Sequence, residues 1–194
     1  LVGQIAAENS ENRIAFIQFG GSTGFYNTSG TLSTTDYANA FWSPSNVSGL
    51  QSVSSNLSTS DLTTNDGIEF TYVNNIMNNS GIDYTGAERT RNVAVIYLSD
   101  GVAGADSKSS TTTAANNIIA KALNAKRSGA FIYTVMIGAD GTTFNRNLFM
   151  EAVSSKYAEA ASMTDLGGQS VDGVNYALSL ATTTINNFMN FGDV

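Results

Sequence analysis

Hydrophobic residues along this chain fall into short continuous runs, separated by longer stretches in which apolar and polar positions alternate with helical spacing. Three runs are nearly all apolar and rich in β-branched and aromatic residues: Ile14–Phe19, Val93–Leu98 and Phe131–Ile137. Runs of this length and composition are typical of strands covered on both faces, as in parallel sheets. We therefore predict three buried strands, with a weaker strand at Tyr157–Met163.

Helical periodicity predicts the elements between the strands. The clearest stripe runs from Ala115 to Leu123, where apolar residues recur at i, i+3, i+4, i+7 and i+8 and Gly129 follows as a C-terminal glycine. Further helices are predicted at 1–9, within 46–64, at 66–77, at 144–153 and at 170–190. An edge strand or hairpin is predicted within 22–45. The segments 78–91 and 102–113 are predicted to be loops.

The alternation of strands and helices predicts the fold class. Parallel strands joined by right-handed helical crossovers give an α/β fold with a doubly wound, mostly parallel central sheet and helices on both faces. No internal repeat or linker divides the chain, and 194 residues suffice for one sizeable core. We therefore predict a single domain spanning residues 1–194.

Composition and charge exclude some classes of partner. Charged residues make up 13% of the chain, about half the usual share, and the formal net charge is −7. The nine basic residues are scattered and form no stripe that could neutralise phosphates, so we predict no binding of nucleic acid. No apolar run reaches the roughly eighteen residues that a membrane-spanning helix needs, so we predict no membrane insertion.

Catalytic chemistry has little support in this sequence. The chain has no His and no Cys, which removes the commonest general base, thiolate chemistry and the usual zinc ligands. Gly101–Ser109 lies between a strand and a helix but lacks the spacing of a phosphate-binding loop. Glu69 and Glu151 are isolated carboxylates on predicted helices, which we interpret as solvated. We therefore predict that the protein is not an enzyme.

The end of the second apolar run is the most informative candidate site. Ligands of open α/β sheets bind beyond the carboxyl ends of the strands. Asp100 directly follows this run and precedes Gly101. Its carboxylate could cap backbone amides or help to hold a hard cation, and both alternatives remain open from the residues alone.

Four segments resemble the von Willebrand factor A-type domain family. Arg91–Gly101 resembles its central strand and T-D-G turn, with Ser99 in place of the usual Thr. Asn12–Gly20 is similar to its second strand, Thr64–Phe70 to its T-N-T-G-x-A-L loop, and Gly129–Gly138 to its strand ending in I-G. The order and spacing of these segments are similar to the family over almost the whole chain.

The resemblance implies a cation site. Members of the family commonly bind Mg²⁺ or a similar cation at the top of the sheet, and its motif residues map to Thr64 and Asp100. The third part, D-x-S-x-S, ends the family's first strand, whereas this sequence begins inside the helix that follows. We therefore expect an N-terminally incomplete domain whose first strand is cleaved off, not represented or supplied by another chain. Mg²⁺ is coordinated by six oxygen atoms, whereas Thr64 and Asp100 supply only two, so we expect this chain to bind it poorly. Asp66 replaces the family's second threonine, and we interpret it as a helix cap.

Surface features indicate an extracellular location. The N-x-[ST] triplets are candidate glycosylation sites, although so many Asn, Ser and Thr residues also produce them by chance. These triplets start at Asn27, Asn46, Asn56 and Asn78. The aromatic residues of 22–45 are interpreted as edge-strand packing or, if exposed, as a partner-binding patch. They are Phe25, Tyr26, Tyr37, Phe41 and Trp42.

Two functional hypotheses follow. The first is a secreted adhesion, matrix or filament module that binds another protein, with a divalent cation as a candidate bridge. The alternative is a purely structural polymer subunit with a vestigial metal site, whose sheet is completed by another chain or by a cleaved segment. Both predict a protein partner or self-assembly into a homo-oligomer or fibre.

Overall fold

The computed structural model describes residues 2–19, 22–55, 57, 67–81, 91–99, 111–137 and 146–160. The helices are α1 (Val2–Glu8), α2 (Val47–Ser55), α3 (Ile68–Asn79), α4 (Thr111–Arg127) and α5 (Arg146–Val153), with 3₁₀ turns at Tyr37–Asn39 and Pro44–Asn46. The strands are β1 (Phe16–Gln18), β2 (Gly24–Tyr26), β3 (Leu32–Ser33), β4 (Val93–Ser99), β5 (Ala130–Ile137) and β6 (Lys156–Ala160).

The secondary structure follows the hydrophobic pattern closely. Helices are present within each of the predicted segments 1–9, 46–64, 66–77 and 144–153, and the stripe from Ala115 to Leu123 lies inside α4. The predicted helix at 170–190 and most of the two predicted loops lie outside the described residues. The loop bounds are wrong at the described ends, because α3 continues to Asn79 and α4 begins at Thr111. In the part of the chain that is described, no helix is both long and apolar enough to cross a membrane.

The predicted fold class is wrong, because the described strands form two separate sheets and no doubly wound, mostly parallel central sheet. Strands β1, β2 and β3 form an antiparallel sheet in that order, with Phe16 opposite Tyr26. Strands β4, β5 and β6 form a parallel sheet, with Val93 opposite Ala130 and Tyr133 opposite Lys156. The apolar run at Ile14–Phe19 therefore pairs with its neighbour in sequence.

The prediction of a single parallel sheet failed because β1 pairs with the strand that directly follows it in the sequence. An antiparallel pair closes over a short connection, whereas a parallel pair needs a long crossover, and an apolar run does not specify either direction. Gly24 favours the close three-stranded arrangement, since a Cβ there would lie 2.6 Å from the carbonyl oxygen of Ser33. Just before β1, Ile14 also pairs with Trp42 through two backbone hydrogen bonds of 3.0 and 2.8 Å.

Helix α3 packs against both sheets. Its Phe70, Val73 and Met77 belong to the core cluster that includes α4, α5 and the parallel sheet. Tyr72 and Ile76, on another side of the same helix, pack with Phe25 and its neighbours in the antiparallel sheet. Among the described residues, α3 therefore contributes to two hydrophobic clusters.

Helix α3 begins where a glycine permits close packing on α4. Gly67 has φ of 76°, in the left-handed region that favours glycine. A Cβ at this position would lie 2.9 Å from the Cα of Ile118, which is a backbone atom of α4. The glycine therefore sets both the start of α3 and its distance from α4.

Candidate functional site

The predicted metal ligands Thr64 and Asp100, and the predicted cap Asp66, lie outside the described residues. Within the described segments there is no group of three or more Asp or Glu side chains that could hold a metal ion. The divalent-cation site therefore stays a prediction that depends on residues 58–66 and 100–110.

Asn27 has a structural role in the hairpin that connects β2 to β3. Its Nδ2 donates to Oδ2 of Asp36 at 2.8 Å. Its Oδ1 accepts from the backbone amide and hydroxyl of Ser29, at 3.2 and 2.7 Å, and from the amide of Thr31 at 3.0 Å. A glycan would replace one of the two hydrogens of Nδ2, and the bond to Asp36 uses only one of them, so this structural role is compatible with glycosylation at Asn27.

The other sequon asparagines differ in their surroundings. Asn46 is exposed at the end of a 3₁₀ turn, and Asn78 is exposed in the last turn of α3. Asn56 lies outside the described residues. Glycosylation of these three residues and of Asn27 remains a prediction.

The interpretation of Glu69 as a solvated carboxylate is wrong. Glu69 is only 3% exposed, and its Oε1 accepts a hydrogen bond of 3.3 Å from the hydroxyl of Tyr97. It is buried because the first turn of α3 lies against β4, where Phe70 and Tyr97 also place their rings 5.1 Å apart. Glu151 is exposed, as predicted.

The aromatic residues of 22–45 pack within the antiparallel part of the fold, which confirms the packing interpretation. The rings of Phe25 and Tyr37 stack with centroids 5.2 Å apart. Trp42 is buried, and its Nε1 donates to the carbonyl oxygen of Tyr26 at 2.9 Å. Phe25 is also fully buried, whereas Tyr26, Tyr37 and Phe41 are half-buried, so the set provides mainly core contacts.

In the part of the chain that the structure describes, the strongest candidate for a binding surface is β4, an outer strand of the described parallel sheet. This strand carries seven uncharged residues, Val93 to Ser99. Its first four residues are only half-buried, and Leu98 is 38% exposed. The neighbouring strand β5 differs sharply, because its Ile132, Tyr133 and Val135 are completely buried.

Strand β1 has the same character. Its three residues, Phe16 to Gln18, are uncharged and half-buried. Among the described residues, β1 pairs with β2 and β4 pairs with β5, and no backbone pairing joins β1 to β4. Both strands thus have the uncharged composition of a buried strand but are only partly buried.

Two contacts join the segment around β1 to the segment around β4. Before the strands, Nη1 of Arg91 donates to the carbonyl oxygen of Glu11 at 2.7 Å, and Nη2 lies 3.5 Å from its Oε2. Towards their ends, the rings of Phe19 and Tyr97 stack with centroids 5.2 Å apart and planes at 20°. Since residue 11 meets 91 and residue 19 meets 97, the two strands run in the same direction. We call this arrangement of Phe16–Gln18 and Val93–Ser99 the β1–β4 junction.

The other outer strands of the described sheets are less suitable for adding a partner. Strand β6 carries Lys156 and Glu159 among its five residues, and charged residues on edge strands discourage pairing with another chain. Strand β3 has only two residues. The sequence reasoning missed the β1–β4 junction, although the lack of charge between Arg13 and Phe19 and between Arg91 and Ser99 was a usable signal.

No protein-family model matches this chain, and no curated protein sequence matches it significantly. The resemblance to von Willebrand factor A-type domains therefore remains a prediction.

Proposed function

We propose that this domain is a protein-binding assembly module that adds an extended segment of a partner chain to the edge of β4. The observation that carries the proposal is the half-exposed, uncharged surface of β4, beside the fully buried β5. An edge strand offers backbone donors and acceptors to an incoming strand, which provide affinity, while alternate side chains provide specificity.

The energetic gain comes from covering apolar side chains. Burying a Val or Ile side chain completely stabilises by about 1.5–3 kcal/mol, so completing the burial of a half-covered one contributes on the order of 1 kcal/mol. Val93, Val95 and Ile96 are half-buried, so together they could supply about 3 kcal/mol. Hydrogen bonds along the added strand contribute roughly 0.5–1.5 kcal/mol each.

The charge of the chain supports a partner segment of particular composition. The net charge is −7, and an acidic partner segment would be repelled and would lose solvation at an apolar edge. A neutral, β-branched segment with basic flanking residues suits both features. The weak surface charge and the sequons also support our proposal that the module works outside the cell, in an adhesive or filamentous assembly.

A labelled peptide tests the proposal directly. The probe has the core Thr-Val-Ile-Val-Thr-Ile with two lysines at each end, and its control has proline in place of the two central residues, which removes two backbone donors. We expect fluorescence anisotropy to show saturable binding of the first peptide, and at least tenfold weaker binding of the second, which corresponds to about 1.4 kcal/mol.

Two leucines offer matched variants of the protein. Leu98 in β4 and Leu123 in α4 have nearly equal exposures of 38% and 39%. Leu98→Lys places a charge on the proposed edge and should weaken peptide binding about tenfold, whereas Leu123→Lys should leave it unchanged. Equal binding by both variants, or no saturable binding by the wild type, would contradict the proposal.

A further inference from the structure

We draw no further inference here: the strongest candidate, the half-buried apolar face of the antiparallel sheet on which Phe16 lies opposite Tyr26 and Tyr26 lies opposite Leu32, carries none because nothing in the described part of the chain shows what covers it.

Discussion

Replacing Gly67 with alanine tests the packing of α3 on α4. The substitution adds one methyl group at a position where φ is 76° and where the new Cβ would lie 2.9 Å from the Cα of Ile118. The Cδ of Lys121 lies at 3.0 Å and can move aside, but the backbone of α4 cannot move without shifting the helix. The change therefore combines backbone strain with a steric clash in the core.

The expected magnitude follows from these two terms. A left-handed conformation costs a residue with a Cβ about 1–2 kcal/mol, and overpacking a tight core costs about 1–3 kcal/mol. Alanine also restricts the unfolded chain, which offsets about 0.4–1 kcal/mol. We therefore expect Gly67→Ala to lower the free energy of unfolding by about 2–4 kcal/mol.

Gly81 provides the matched control. Its φ is 74°, almost identical to that of Gly67, but no described atom lies within 4 Å of a Cβ built on it. Gly81→Ala should therefore lower the free energy of unfolding by only about 1 kcal/mol, which is the cost of the left-handed backbone conformation. The difference between the two variants isolates the clash with Ile118.

Urea denaturation followed by circular dichroism measures both values. With a typical dependence of about 1–3 kcal/mol per molar urea, the Gly67→Ala midpoint should fall by on the order of 1 M or more, and that of Gly81→Ala by clearly less. If Gly67→Ala were no more destabilising than Gly81→Ala, the close approach of α3 to α4 would be refuted.

Three further predictions test other parts of the fold. Gly49→Ala should lower the free energy of unfolding by about 1–3 kcal/mol, because its Cβ would lie 2.7 Å from the ring of Trp42; thermal melting monitored by tryptophan fluorescence checks this, and an unchanged melting temperature would contradict it. A double-mutant cycle of Asn27→Ala and Asp36→Ala should give a coupling of about 1–2 kcal/mol, because their side chains bond at 2.8 Å, whereas additive effects would show that the pair is independent. Burial chiefly raises the pKa of Tyr72 above its ordinary value of 10, so its contribution to stability is present below pH 10 and is lost as the pH rises through the folded pKa. Absorbance titration should show a tyrosine transition above pH 10 that is lost in Tyr72→Phe, and the same variant should flatten the alkaline fall in stability.

The sequence predicts the elements of this protein better than their arrangement. The apolar stripe from Ala115 to Leu123 specifies a helix because its period matches the α-helical turn, and α4 contains it. The run Val93–Leu98 likewise matches β4 almost residue for residue. In both cases the signal lies within one contiguous segment.

Pairing between segments is not specified in the same way. The run Ile14–Phe19 has the composition of a buried parallel strand, but only Phe16–Gln18 forms a strand, antiparallel to β2. The direction of this strand depends on the connection that follows it, which no hydrophobic pattern records.

The candidate surface also depends on three-dimensional information. Sequence reasoning directed attention to Asp100 and Thr64, which lie outside the described residues. The β1–β4 junction is defined instead by incomplete burial and by contacts such as Phe19 with Tyr97, which join positions far apart in the chain. Neither property can be read from a single segment.

The position of α3 between two hydrophobic clusters has a consequence for cooperativity. Phe70 anchors one cluster, and Tyr72 and Ile76 anchor the other, so neither sheet can separate from the core without exposing a face of this helix. Local opening events therefore cannot release the amides of α3 while either sheet remains docked. Its central amides should exchange with solvent only when the whole domain unfolds, and α3 should report the global stability of the protein.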